Sequence, residues 1–75
     1  MKKYEVGFGF LNGDASVIET SEMFDNYKKA IEYFEKEKKD IDENSTYKYI
    51  SLDELEFENN EIIDCHHLKE YTFEN

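Results

Sequence analysis

The 75-residue sequence predicts an α+β domain built as β-hairpin, helix, β-hairpin (ββαββ), a four-stranded antiparallel sheet covered on one face by one helix. Three observations carry this. Apolar and polar residues alternate with period two near the start, Asn-containing turn signals fall near residues 12 and 59, and one stretch between them has three- and four-residue apolar spacing. A chain of this length supports one domain, residues 1–75, with a thin core.

Tyr4-Glu5-Val6-Gly7-Phe8-Gly9-Phe10 puts Tyr4, Val6, Phe8 and Phe10 on one face of a half-buried strand and Glu5, Gly7 and Gly9 on the other. The nearly bare second face reads as a site of twist or of close approach by another backbone. Asn12-Gly13 predicts a type I′ turn, which Asp14 can extend, and the chain returns over Ala15 to Ser21. A helix is expected from Asp25 to Lys39, capped by Asp25 or Ser21. Phe24, Tyr27, Ile31 and Phe34, with Ala30 beside them and Ile41 past the end, form its apolar stripe. Lys36, Lys38 and Lys39 suit the negative end of the helix dipole, and Glu32 with Lys36 forms an i,i+4 pair.

After a polar connector, Tyr47 to Glu58 and Ile62 to Phe73 read as the second hairpin, turning at Asn59-Asn60, a loop that Glu61 can extend to the three residues the hydrophobic pattern favours. That loop gives the facing pairs Phe57/Ile63, Leu55/Cys65, Asp53/His67, Ser51/Lys69, Tyr49/Tyr71 and Tyr47/Phe73, which gather most apolar residues on one face. Glu54, Glu56, Glu58, Asp64 and Glu70 then lie on the outward face.

Composition limits the function. Nine Lys, no Arg and nineteen acids leave a formal charge of −10, which opposes binding to nucleic acid or anionic lipid and favours a basic partner. A single cysteine, Cys65, cannot form an internal disulfide, so a reducing cytoplasm is the expected location. The mature chain is expected to begin at Met1, since no apolar run has the length of a signal core or a membrane span. Scarce Arg, Ala, Pro and Trp beside abundant Lys, Asn, Ile and Tyr match the bias of an AT-rich genome.

Asp64-Cys65-His66-His67 groups the potential metal ligands, but strand alternation sends Cys65 and His67 to one side and Asp64 and His66 to the other, so no metal is expected. Cys65 reads as a small core residue opposite Leu55. His67 opposite Asp53 forms a dyad whose carboxylate raises the imidazole, with no nucleophile placed beside it. Gly7-Phe8-Gly9 lies inside a strand and opens no helix, so it is not a phosphate loop. No cofactor and no catalytic residue are expected, and the chain reads as a non-enzymatic protein.

The charge is polarised. Residues 1–39 carry eight acids against seven Lys, whereas residues 40–75 carry eleven acids against Lys48 and Lys69. Alternate residues on a strand lie about 6.6–6.8 Å apart, or roughly two base steps of a nucleic-acid strand, so a row of carboxylates can imitate a phosphate backbone. Glu54, Glu56, Glu58, Glu61, Asp64 and Glu70 are the expected charge contacts to a partner, with Asn59 and Asn60 shaping the tip.

Val17-Ile18-Glu19-Thr20-Ser21-Glu22 leading into Tyr27-Lys28-Lys29-Ala30, together with the length, acidity and hairpin–helix–hairpin plan, resembles small phage-encoded inhibitors of bacterial defence, including anti-CRISPR proteins. The resemblance implies a non-enzymatic inhibitor that occupies the basic surface of a nucleic-acid-handling complex in the cytoplasm of a bacterial host cell, and it transfers no individual residue. The alternative is a homodimeric structural or accessory subunit that pairs an edge strand or buries the face of Gly7 and Gly9, its acidic hairpin merely facing solvent.

Overall fold

The computed structural model describes residues 1–13, 15–43 and 47–72, the helical residues 41–43 as backbone alone. Five elements follow one another: β1 (Lys2–Asn12), β2 (Ala15–Phe24), α1 (Tyr27–Glu43), β3 (Tyr49–Glu58) and β4 (Glu61–Thr72). The strands form one antiparallel sheet in the order β2-β1-β3-β4, so the hairpins join through their first strands and β2 and β4 are edges. This is the ββαββ architecture read from the sequence. No helix among the described residues is long and apolar enough to cross a membrane.

The alternation in β1 has the expected consequence. Val6 and Phe8 turn toward α1 and meet Leu52 and Ile50, their cross-strand partners on β3, beneath Ala30 and Phe34 of the helix. Tyr33 packs against Phe8 and Phe24 with ring centroids 6.0 and 5.0 Å apart, and Tyr27 meets Tyr4 edge-on at 5.6 Å. Burial, reinforced by the Glu37 carboxylate, pushes the Tyr33 hydroxyl up to about 12.

The helix begins two residues later than the spacing suggests and runs on to Glu43. Its cap is neither Asp25 nor Ser21: the Lys29 N–H donates to Asn26 Oδ1 at 3.2 Å, and Ser21 belongs to β2, which extends to Phe24. Lys36, Lys38 and Lys39 precede the last turn and do not form it. Glu35, three residues before Lys38, makes the pair expected of Glu32 and Lys36, at 4.0 Å. Ile41 lies inside the helix. In the first turn Asn12 pairs with Ala15, so the reversal falls one residue later than expected, at Gly13 with φ +68, and Asp14 lies outside the described residues.

The second hairpin corrects the expected register at both ends. Asn59 and Asn60 have φ of 53 and 66, a two-residue turn of left-handed residues, and this sets Glu58 opposite Glu61 and Phe57 opposite Ile62, not Ile63. Ile63 is then an unpaired bulge residue, after which Glu56 faces Asp64, Leu55 faces Cys65 and Asp53 faces His67, as expected. A second bulge at Leu68 sets Ser51 opposite Glu70 instead of Lys69, and Tyr49 opposite Thr72 instead of Tyr71. The expected partner of Tyr47, Phe73, lies outside the described residues.

The faces of β3 are also reversed. Ile50 and Leu52, fully buried, point at the helix, whereas Tyr49 and Leu55 point to the open side and are nonetheless buried. The Tyr49 hydroxyl interacts with Ser16 on β2 and with Glu70 on β4, so its ring crosses β1 at Gly9, its neighbour in the ladder. A Cβ at Gly9 would lie 2.7 Å from the Val17 carbonyl carbon, the close backbone approach that the bare strand face predicts. The bulge at Glu19, between the pairs Phe8/Thr20 and Gly9/Ile18, accompanies that approach.

Candidate functional site

Alternation along β3 carries the line begun by Ile50 and Leu52 on to Glu54, Glu56 and Glu58, so the acidic row continues the helix-facing side of the sheet. Glu54 is level with Tyr4, against which the first turn of the helix packs, and Glu56 and Glu58 follow toward the hairpin tip. Asp64 stands opposite Glu56 and Glu61 opposite Glu58, so five of the six expected carboxylates do gather on one side. The sixth does not: the bulge at Leu68 makes Glu70 the partner of Ser51 and turns it to the open face.

The row is partly neutralised at one end. Lys2 Nζ lies 3.5 Å from Glu54 Oε1, and the Met1 ammonium lies 3.4 Å from Glu56 Oε1 while donating to the Phe57 carbonyl at 3.0 Å. The second oxygen of Glu56 is buried with no hydrogen-bond partner among the described residues. Asp64 accepts the Cys65 N–H at 2.9 Å and contacts His66 Nε2 at 3.0 Å. Glu58 and Glu61 are exposed and unpaired among the described residues, and they sit directly across the strand from each other. Like charges so placed cost roughly 0.2–1 kcal/mol, a penalty a partner cation would relieve.

Apolar groups stand at the same tip on the other face of the sheet, because Phe57 alternates with Glu56 and Glu58 and takes its partner Ile62 to the open side. Ile62 and Ile63 are both 56% exposed, and Met1, Lys3, Phe57, Asn59 and Asn60 line a cleft of about 280 Å³ at the tip. Ile63 was not legible as a surface residue, because in the expected register it belongs to the covered face, whereas Ile62 was expected to face outward. Only the bulge changes that.

On the open face His67 meets two carboxylates: Nδ1 is 2.7 Å from Asp53 Oδ1 and Nε2 is 3.2 Å from Glu70 Oε1. Glu5, opposite Asp53 in the ladder, accepts the Ser21 hydroxyl at 3.3 Å. The expected Asp53–His67 dyad therefore forms, but both ring nitrogens are occupied and neither is free to take a proton from a nucleophile. Cys65, on the same side, is exposed and not the core residue its partner Leu55 suggested. Burial and the carboxylates of Asp53, Glu5 and Asp64 push its thiol up, which disfavours the reactive thiolate. No group of three or more His, Cys, Asp or Glu among the described residues is arranged to hold a metal ion.

No protein-family model matches the chain, and comparison with curated proteins and with solved structures finds no match either.

Proposed function

We propose that this protein is a non-enzymatic acidic binding protein that docks its second hairpin on a basic surface of a nucleic-acid-handling protein and inhibits it, as the phage anti-defence proteins it resembles do in a bacterial cytoplasm. The observation that carries this reading is the acidic side of the hairpin, Glu54, Glu56, Glu58, Glu61 and Asp64, where Glu58 and Glu61 are exposed and unpaired among the described residues. Carboxylates gathered on one side of a hairpin would govern on-rate and partner choice. Asn59 and Asn60 hold the tip in its turn and line the adjacent cleft.

The test adds the protein to RNA-guided CRISPR effector complexes before their target DNA and follows DNA binding on native gels. The reading expects DNA binding to be blocked by the wild type and restored when Glu58→Lys and Glu61→Lys are combined. DNA binding left intact at saturating protein, across the effectors tried, contradicts it.

A second reading, a homodimeric accessory subunit, is favoured by β2. This ten-residue edge strand has Val17, Ile18 and Met23 exposed and carries neither Lys nor Pro to discourage pairing. Sedimentation at low and high salt separates the two: a salt-insensitive dimer supports the second reading, and a monomer removes it.

A further inference from the structure

The two bulges of β4 differ in what they do. In a regular strand residues two apart share a face, so Lys69 would stand beside His67. The bulge at Leu68 adds one residue between them, sends Lys69 to the helix side, where Nζ reaches Glu35 at 3.0 Å, and brings Glu70 round beside His67. A carboxylate thus replaces a cation as the neighbour of the imidazole, and Asp53 on β3 already holds the other nitrogen.

Two carboxylates on one ring impose a protonation state. A neutral imidazole has one N–H and one acceptor nitrogen, and an acceptor facing a carboxylate oxygen makes no bond. Only the imidazolium donates to both. We propose that His67 is a proton-operated clamp: with both ring nitrogens protonated it ties edge strand β4 to β3 through Asp53 and braces the bulge through Glu70, and on losing one proton it releases one of the two carboxylates.

The surroundings bias the clamp toward its closed form. Asp53 and the Tyr49 hydroxyl face the site from β3, Glu5 from β1, and Cys65 and Glu70 from β4 itself, while the face's Lys3 is 3.6 Å from Asp25. The hydrogen bond that His67 donates to Asp53 raises the imidazole above its ordinary value, with burial opposing and the charges of Asp53 and Glu70 adding to the rise. Opening the clamp leaves Asp53 and Glu70 without their shared cation. The open face then becomes more acidic as pH rises.

The test is an NMR titration of the ring protons of His67, assigned with a His67→Gln variant, in wild type, Asp53→Asn and Glu70→Gln. The clamp predicts a wild-type midpoint above about 6.5, the ordinary value, and a downward shift in each variant. It also predicts that β4 backbone amides near Leu68 titrate with the same midpoint in the wild type and stop doing so in His67→Gln. A wild-type midpoint at or below about 6.5 overturns the proposal, as does a midpoint that moves in only one variant, which would describe a single ion pair. Glu70 is on an exposed edge strand, so Glu70→Gln tests the clamp even if Asp53→Asn does not fold. None of these measurements involves a binding partner, so they stand apart from the docking reading.

Discussion

Replacing Gly9 with Ala tests how the sheet is built, because the added methyl group would point at main chain. Its position is 2.7 Å from the Val17 carbonyl carbon, closer still to the carbonyl oxygen, and 3.0 Å from the Ile18 Cα. No rotamer change can relieve backbone contacts, so β1 and β2 must separate at the Glu19 bulge. Overpacking a core costs about 1–3 kcal/mol, and a clash with main chain belongs at or above the top of that range. At about 0.05–0.15 kcal/mol per residue a 75-residue domain has about 4–11 kcal/mol in all. A loss of about 3 kcal/mol would therefore lower the melting temperature by roughly 12–24 °C. Gly7 is the control on the same strand face. There the nearest atoms are Ile18 Cγ2 at 3.1 Å and Ser51 Oγ at 3.2 Å, side-chain atoms that can shift by a few tenths of an ångström. Ala also reduces the entropy of the unfolded chain, so Gly7→Ala should fall within about 1 kcal/mol of wild type. Urea unfolding followed by circular dichroism measures both. A Gly9→Ala loss below about 1 kcal/mol, or a Gly7→Ala loss exceeding that of Gly9→Ala, refutes the close crossing of β2 over β1.

Phe34, only 1% exposed, is the largest side chain the helix buries, and Phe34→Ala should cost about 3–5 kcal/mol, leaving much of the protein unfolded in a thermal melt. At the second turn, Asn60→Ala should cost about 1 kcal/mol in urea unfolding because φ is 66 there, while Asn60→Gly should be neutral or slightly stabilising. Since His67 is raised above its unfolded value, its stabilising contribution is complete below about pH 6.5 and is lost as pH climbs through the folded midpoint. The urea midpoint should accordingly decline as pH rises above about 6.5 in the wild type and decline less in His67→Gln; a wild-type midpoint that rises there contradicts the assignment.

Much of the fold was legible because local signals agreed. The alternation of Tyr4, Val6 and Phe8 chose the helix-facing side of β1, and Ala30 with Phe34 chose the buried stripe of α1. The second hairpin was legible only in its middle. Two sequence cues conflicted there: Asn59-Asn60 favours a two-residue turn, whereas pairing Leu55 with Cys65 and Asp53 with His67 needs one more residue. The fold satisfies both by bulging at Ile63, and a bulge has no residue signature that a period-two pattern can reveal. The same blindness assigned Glu70 to the acidic row, since one extra residue at Leu68 reverses every later side chain. The buried faces of β3 misled for another reason. As a central strand it is covered by α1 on one side and packs Tyr49 across Gly9 on the other, so Tyr49, Ile50, Ser51 and Leu52 are all buried and alternation is lost. The closeness of Glu5 to the Asp53–His67 pair depends on β1 adjoining β3, which follows from strand order and not from local pattern.

The most direct test of the docking claim is the salt dependence of partner affinity for the wild type and for the combined Glu58→Lys, Glu61→Lys variant, measured by titration calorimetry. These two carboxylates are exposed and unpaired among the described residues, so exchanging them removes charge contacts without disturbing the core. Exposed charge pairs are worth about 0.2–1 kcal/mol each, and reversing both should weaken binding by roughly tenfold or more near 0.1 M salt. The account predicts that loss together with a flatter dependence of affinity on salt. Equal affinity and an unchanged salt dependence would contradict it.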